Sequence, residues 1–569
     1  LYSSDIGKAF EAPIFHVNAD SPDDVVAAFE IATEYRQTFG TDVIIDVIGY
    51  RKRGHNEIDE PRFTQPVMYQ KIDKHPTCLE IYRNQLLNEG VVTQEDVKAT
   101  TTLVQKSFDD AFEAADSYVP GDHDVENNWT EMLRPNMHSK IRNTGVPMET
   151  LEQIGNTLAT VPEGFNIHRR LNNIIKAKAE TLEAKAMLDW GTCEGLAFGS
   201  LLLEGTHVRI SGQDVQRGTF SHRHAIWHDQ KTNELYTALN NVDPGNQAAF
   251  TCANSPLSEF GVMGFELGYA QESPKSLVIW EAQFGDFVNG AQIMIDQFLS
   301  SGEAKWGQQN GLVLLLPHGY QGQGPEHSSC RMERFLQCID EDPDDIPNLD
   351  ENSTQQIQVH NWQIVNCTTP ANYFHALRRQ QHRDFRKPLI VVAPKGLLRH
   401  KLATSTFEDM SGDTRFKRMY MERFEDEICE ADKVRRLVIC QGQIYYELLE
   451  ARRAGEIDDV AIVTLEQISP FPFDLVAEAM KTYGNAEVVW AQEEPKNMGA
   501  WSFVQDRIMT ASRVVNDEKR SPGYVGRKTM ASTAEGYGSV HAREQKSIID
   551  LALSDDATSW GWGKTKKTK

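Results

Sequence analysis

The densest run of chemistry-bearing side chains is Gly212-Gln-Asp-Val-Gln-Arg217-Gly-Thr-Phe-Ser-His222-Arg223-His224. Two histidines and two arginines in one loop can hold an anionic carboxylate through charge-assisted hydrogen bonds. The same residues would also suit a solvated polar loop or half of a zinc site, although no third ligand is marked nearby. A carboxylate, Glu259, opens a helix within Asn254-Ser-Pro-Leu257-Ser-Glu259-Phe-Gly. Buried among small and apolar neighbours it would carry a raised pKa and move protons; the plainer reading is an acid that complements the helix dipole. Glu281-Ala-Gln283-Phe284-Gly-Asp-Phe287 sets two aromatic rings beside carboxylates. That lining fits a planar heterocycle, or simply core packing. In Gly322-Gln-Gly-Pro-Glu-His327-Ser-Ser the glycines let backbone approach a ligand and His327 is presented at the end. It is no Walker A motif, because Gly-Lys-Ser/Thr is missing. Arg51-Lys-Arg-Gly-His55-Asn follows a strand and suits a phosphate, or a charged surface turn.

These loops need strands to present them. The β-branched run Asp42–Ile48 reads as a buried strand, preceded by a helix that starts at Ser21 and shows Val25, Val26, Phe29, Ile31 and Ala32 on one face. Together with Ala12–Val17 this makes one βαβ unit. A parallel sheet needs more strands than that to cover its faces, so the remainder of that domain is expected upstream or on another chain. Pro66 to about Lys185 reads as mostly helical, with a loop over Tyr118–Asn128. Strands at Val208–Ile210, Ser276–Trp280 and Leu312–Pro317 each run into one of the polar loops, and in open parallel sheets ligands bind at such carboxyl ends. Leu437–Cys440, Val460–Leu465 and Val488–Ala491 are strands of a further α/β part, and the basic tail Gly563–Lys569 reads as a solvated terminus or an anion-binding arm.

The chain has 569 residues, enough for about three to five domains. Hydrophobic residues are 40% and charged residues 25%, which excludes disorder and a small disulfide scaffold. A net charge of -24 repels a polyanion, so nucleic acid is not expected as a partner. No apolar run approaches the roughly 20 residues of a membrane span. The eight cysteines contain no C-x-x-C pair and read as reduced, mostly buried thiols.

In this order, seven segments resemble one family: GHNEIDEPRFTQPVMY (Gly54–Tyr69), RISGQDVQRGTFSHRHA (Arg209–Ala225), NSPLSEFGVMGFELG (Asn254–Gly268), WEAQFGDFVNGAQ (Trp280–Gln292), LLPHGYQGQGPEHSS (Leu315–Ser329), FRKPLIVVAPKGLLRH (Phe385–His400) and SPFPFD (Ser469–Asp474). They are similar to the thiamine-diphosphate-dependent first components of 2-oxoglutarate dehydrogenase complexes. The resemblance implies an α/β, transketolase-like fold of parallel sheets flanked by helices, with an α/β C-terminal domain. The expected division is a remnant of the pyrophosphate-binding domain (1–65), a helical connection (66–187), a pyrimidine-binding domain (188–394) and the C-terminal domain (395–569).

The implied activity is oxidative decarboxylation of 2-oxoglutarate, through an enamine of thiamine diphosphate, in the tricarboxylic acid cycle. The succinyl group would pass to a lipoyl domain of the dihydrolipoamide succinyltransferase. The resemblance assigns catalysis to Glu259, His222, His224 and His327. It assigns cofactor binding to Gln283, Phe284, Phe287, Leu257 and His55, and substrate binding to His222, Arg223 and His224. The family's Gly-Asp-Gly…Asn motif is not found; Gly121-Asp122-His123 lacks the second Gly. Ligands for Mg2+ are therefore expected upstream and none in this chain. A homodimer, or an assembly with the upstream half, is implied, in the mitochondrial matrix or a bacterial cytoplasm. Two alternatives are a 2-oxoadipate dehydrogenase, which the Ser-His-Arg-His form argues against, and a non-catalytic structural half of such a complex.

Overall fold

A computed structural model describes residues 2–118, 128–133, 139–347, 355–516 and 521–554. The centre of the expected Tyr118–Asn128 loop, Gly121-Asp122-His123 and the basic tail lie outside the described residues. The chain divides into two units, 1–123 and 124–569.

In the first unit, β1 (Ile14–Asn18) and β2 (Ile44–Ile48) pair in parallel across α1 (Pro22–Phe39). Pro22 starts α1 with its φ preset for a helix, and Gly40, in the left-handed region, ends it. Ser21 is the N-cap residue, but its hydroxyl donates to Asp24 rather than accepting from the helix. The unit continues through α2 (Pro66–Ile72), α3 (Cys78–Asn88) and α4 (Gln94–Ala115). Reciprocal capping boxes, Thr77 with Glu80 and Thr93 with Asp96, start the last two. The expected helical stretch is thus shared: α2 to α4 belong to the first unit, and the next helices to the second.

The second unit opens with α5 (Met148–Leu158), α6 (Arg169–Glu183) and α7 (Trp190–Leu203). Helix α7 is apolar all round and buried for nearly its whole length, as a helix inside a two-layer core must be. Then come β3 (His207–Gly212), a short hairpin of β4 (Trp227–His228) and β5 (Leu235–Tyr236), β6 (Phe250–Asn254), α8 (Glu259–Glu272), β7 (Ser276–Glu281), β8 (Val313–His318), β9 (Gln363–Val365) and β10 (Leu389–Pro394). The later part contributes β11 (Met419–Tyr420), β12 (Arg436–Cys440), β13 (Val460–Leu465), β14 (Gln467–Ser469), β15 (Glu487–Pro495) and β16 (Gly523–Arg527).

The larger sheet has seven strands in the order β14-β9-β10-β8-β7-β3-β6, all parallel except the antiparallel β14. The smaller has five, β11-β13-β12-β15-β16, with only β11 antiparallel. Register matters more than strand count here. Gly212 lies level with both Asn254 and Glu281, and Pro394 with His318. The loops after β3, β6 and β7 therefore leave one edge of the sheet side by side, and so do those after β8 and β10. The fold class expected from sequence is the fold observed. All eight cysteines are free, and five are buried. No described helix is long and apolar enough to cross a membrane.

Candidate active site

The loop after β3 turns sharply at Gly212, where a Cβ would meet the Glu281 carbonyl oxygen at 2.1 Å. Only glycine lets the chain pass this close to the end of β7. Further on, Gly218, with φ +80°, lies against the His222 ring; a Cβ there would stand 2.6 Å from that ring.

Between these glycines and α7 lies a buried ion cluster. All five N–H groups of Arg223 are committed: to Glu194 at 2.6 and 3.1 Å, to Glu281 at 2.9 and 2.5 Å, and to the Val215 carbonyl at 3.2 Å. Tyr373 donates a further hydrogen bond to Glu194. Burial opposes charging Arg223, but the two carboxylates hold its pKa well above the ordinary value. Burial likewise opposes ionising Glu194, yet the guanidinium brings its pKa below the usual carboxylate range. This corrects the expectation that Arg223 binds substrate: a guanidinium with no donor left cannot also hold a ligand's carboxylate. The residue that decides this, Glu194, lies in an apolar helical run. A lone acid in such a run was the available signal for it.

The second cluster is aromatic. The Phe284 ring contacts Phe220 at 5.5 Å, Phe287 at 5.8 Å and His327 at 4.6 Å between centroids, all edge-on. His327 is held through its loop. Asp286 Oδ1 accepts from the Ser328 and Ser329 amides at 3.1 Å each, while Asp286 Oδ2 is buried without a partner. Lys395, just after β10, donates to the His327 carbonyl and to Gln323 Oε1, and its ammonium stands 5.4 Å from the Phe284 centroid. Burial pushes its pKa down to about 8. Sequence reasoning missed Lys395; a single cation directly after an apolar strand marked it.

Glu259 is the first residue of α8 and is half-buried, not buried as expected. Its carboxylate accepts from Gln213 Nε2 at 3.2 Å, and the same amide reaches the Leu257 carbonyl. Gln283 donates to Asp214 on the β3 loop at 3.3 Å. Leu257 is 78% exposed, and Phe260, Phe265 and Tyr269 of α8 also face solvent.

His222 and His224 share the loop of Phe220 but line a different space, a cavity of about 360 Å³ bounded by α6 and α7. His222 Nδ1 is buried with no hydrogen-bond partner. Burial, reinforced by the Arg223 charge, lowers the His222 pKa below that of an ordinary imidazole; burial also lowers His224, which meets the Ser221 carbonyl at 3.0 Å. The structure thus gathers Phe284, Phe287 and His327 in one cluster. It ties Glu259 at the start of α8, and the loop residues Leu257 and Gln283, to the β3 loop, and places His222 and His224 on a separate cavity. His55 lies in the first unit, in an exposed turn where it meets Arg51 at 2.9 Å. Among the described residues no group of three or more His, Cys, Asp or Glu is placed to hold a metal ion.

Three family models match the chain. Residues 2–122 match the dehydrogenase E1 component, 186–401 the transketolase pyrimidine binding domain, and 404–553 the 2-oxoglutarate dehydrogenase C-terminal region. The chain is 47% identical over 563 residues to the mitochondrial 2-oxoglutarate dehydrogenase of Dictyostelium discoideum, covering 98% of this chain and 55% of that protein. It is 48% identical over 556 residues to the mitochondrial 2-oxoglutarate dehydrogenase of Caenorhabditis elegans, covering 96% and 53%. It is 45% identical over 563 residues to the 2-oxoglutarate dehydrogenase E1 component of Brucella anthropi, covering 97% and 54%. The chain spans about half the length of these curated relatives.

Proposed function

We propose, for a chain that belongs to the 2-oxoglutarate dehydrogenase E1 family, that it supplies the pyrimidine-binding and C-terminal parts of a thiamine-diphosphate enzyme acting on 2-oxoglutarate. The succinyl group formed would pass to a lipoyl group on a succinyltransferase partner. A mitochondrial or a bacterial setting is equally in keeping with the relatives named above.

The observation that carries this reading is half-buried Glu259 at the start of α8, tied through Gln213 to the loop whose Phe220 touches the Phe284–His327 cluster. These residues fit an aminopyrimidine. A half-buried carboxylate with one neutral amide on it has lone pairs free for a ring nitrogen, and aromatic edges and Leu257 give an apolar wall. Thiamine diphosphate, when bound, supplies the nucleophilic carbon and the electron sink for decarboxylation. Glu259 then has one task, to give a proton to a pyrimidine ring nitrogen and take it back, with Gln213 Nε2 orienting its carboxylate. Gln283, Phe284 and Phe287 exclude water from one side. Asp286 and Lys395 fix the loop that carries His327. The third donor of Lys395 is left to meet negative charge beside the rings. His222 and His224 enter this scheme only through the loop they share with Phe220. Mg2+ belongs to the same proposal, with its ligands expected upstream and none in this chain.

The test is release of labelled CO2 from 2-[1-14C]oxoglutarate by the native protein and by Glu259→Gln. The amide keeps the shape and loses the exchangeable proton, so turnover falls by roughly 10²-fold or more with an unchanged unfolding midpoint. Near-normal turnover in the variant removes Glu259 from the mechanism.

A further inference from the structure

The cavity behind the β3 loop has two unlike ends. Leu171 and Ile175 of α6, with Phe198 and Leu239, form an apolar wall. At the other end stands Lys178, also on α6 and half-buried. Its ammonium makes no ion pair or hydrogen bond among the described residues. Asp189 and Glu194 draw on its charge without an ion pair, and both also serve elsewhere. Asp189 Oδ1 caps α7 by accepting the Thr192 amide, Glu194 is bound by Arg223, and Arg399 donates to the Phe220 and Ser221 carbonyls. His222 also lines the cavity, while its Nδ1 is buried without a partner on the Gly218 side of the ring. A half-buried ammonium without a hydrogen-bond acceptor is a costly feature unless something meets it.

We infer that this cavity binds a small amphipathic monocarboxylate, its carboxylate on Lys178 and its aliphatic chain along the Leu171–Leu239 wall. One ammonium matches one negative charge. A di- or polyanion would also face the carboxylates of Asp189 and Glu194, and a neutral apolar molecule would leave Lys178 unanswered. The volume, about 360 Å³, lies within the range of small-molecule sites. None of Glu259, Phe284, Phe287 or His327 lines it, so the site is separate from the one assigned to the cofactor. Its occupant would lie against Ser221–Ala225, the outer stretch of the loop that carries Phe220.

The experiment titrates the native chain with sodium hexanoate, sodium acetate and hexan-1-ol by calorimetry, and repeats this with Lys178→Gln. The expected result is saturable hexanoate binding at least tenfold tighter than acetate. The variant should lose about tenfold for hexanoate and nothing for hexanol. In parallel, amine labelling of the native chain with acetic anhydride, read by peptide mass spectrometry, should show Lys178 protected by hexanoate and not by hexanol. This second arm decides the matter should the variant fail to fold. Absence of saturable hexanoate binding, equal binding of hexanoate and hexanol, undiminished binding by a folded Lys178→Gln, or unprotected Lys178 would each overturn the inference.

Discussion

Two apolar runs look alike in the sequence and meet different fates. Val313–His318 becomes β8, flanked by β7 and β10, with every residue buried. Ile44–Ile48 becomes β2, which pairs only with β1 among the described residues and leaves Val47 43% and Ile48 44% exposed. Helix α1 repeats the contrast. Its expected apolar face exists, but Val26, Phe29 and Ile31 are exposed and only Ala28 and Ala32 are buried. A short apolar run therefore specifies a strand, whereas burial is a property of the neighbours.

Charge separates the two units most sharply. In the second, Arg223 is the shared partner of two buried carboxylates. Replacing it by methionine strands Glu194 and Glu281 without a counter-ion, a loss of about 3–5 kcal/mol for breaking a buried network. In the first, Arg62 bridges Glu60 and Asp73 in full view of solvent. Arg62→Met should leave the urea midpoint where it was. Comparable losses in the two variants would end the distinction between the units.

Packing should follow the same division with a smaller amplitude. Leu314 is fully buried within β8 and the core around it. Leu314→Ala removes three side-chain carbons and leaves a cavity, costing about 3 kcal/mol. The check is the unfolding free energy of the variant against the native chain; a loss under 1 kcal/mol would show that the sheet collapses around the gap.

Much of the fold could be read from local pattern, and the failures share a cause. The strands from Val208, Ser276, Leu312, Leu437 and Val460 lie within a residue or two of their expected bounds, because continuous apolar runs between turn residues have few alternatives. Strand β6, Phe-Thr-Cys-Ala-Asn, was not expected, since its alternation is weak. Nor was β14, which leaves the C-terminal part to pair Gln467 with Val365 across about a hundred residues. At the site, the aromatic loop and His327 were legible as a strand-end cluster. The partner of Arg223 was not, because Glu194 lies on a helix whose depth only the tertiary structure sets. Loop membership also misled: His222 and Phe220 are two residues apart yet line different spaces.

Burial also gives the second unit a pH response. His375 is enclosed, with Thr144 on Nδ1 and the Asp409 carbonyl on Nε2, and burial pushes its pKa down to about 4 from 6.5. The unfolded chain therefore binds this proton before the folded one does, and stability falls as pH drops from about 6.5 towards 4. Between pH 7 and pH 5 the loss from this group is about 2 kcal/mol. Unfolding of the native chain and of His375→Asn at both pH values isolates the effect. The variant should lose less on acidification, and equal slopes would remove His375 as its source.

The smallest expected effect tests the comparison most directly. Val47→Thr keeps a β-branched side chain in β2 and exchanges one methyl for a hydroxyl. Because Val47 is exposed, water can satisfy that hydroxyl, and the change in stability should stay within about 0.5 kcal/mol. The same exchange at Val313 puts the hydroxyl where no solvent reaches, between Ile279 of β7 and Leu389 of β10. There the cost should be about 1–3 kcal/mol, since the hydroxyl loses water and gains no side-chain partner from its apolar neighbours. Measuring the pair under one set of conditions removes the propensity term, which is common to both. A penalty at Val47 equal to that at Val313 would mean that β2 is covered in solution, and the first unit would then have to be treated as part of a larger sheet completed by another chain.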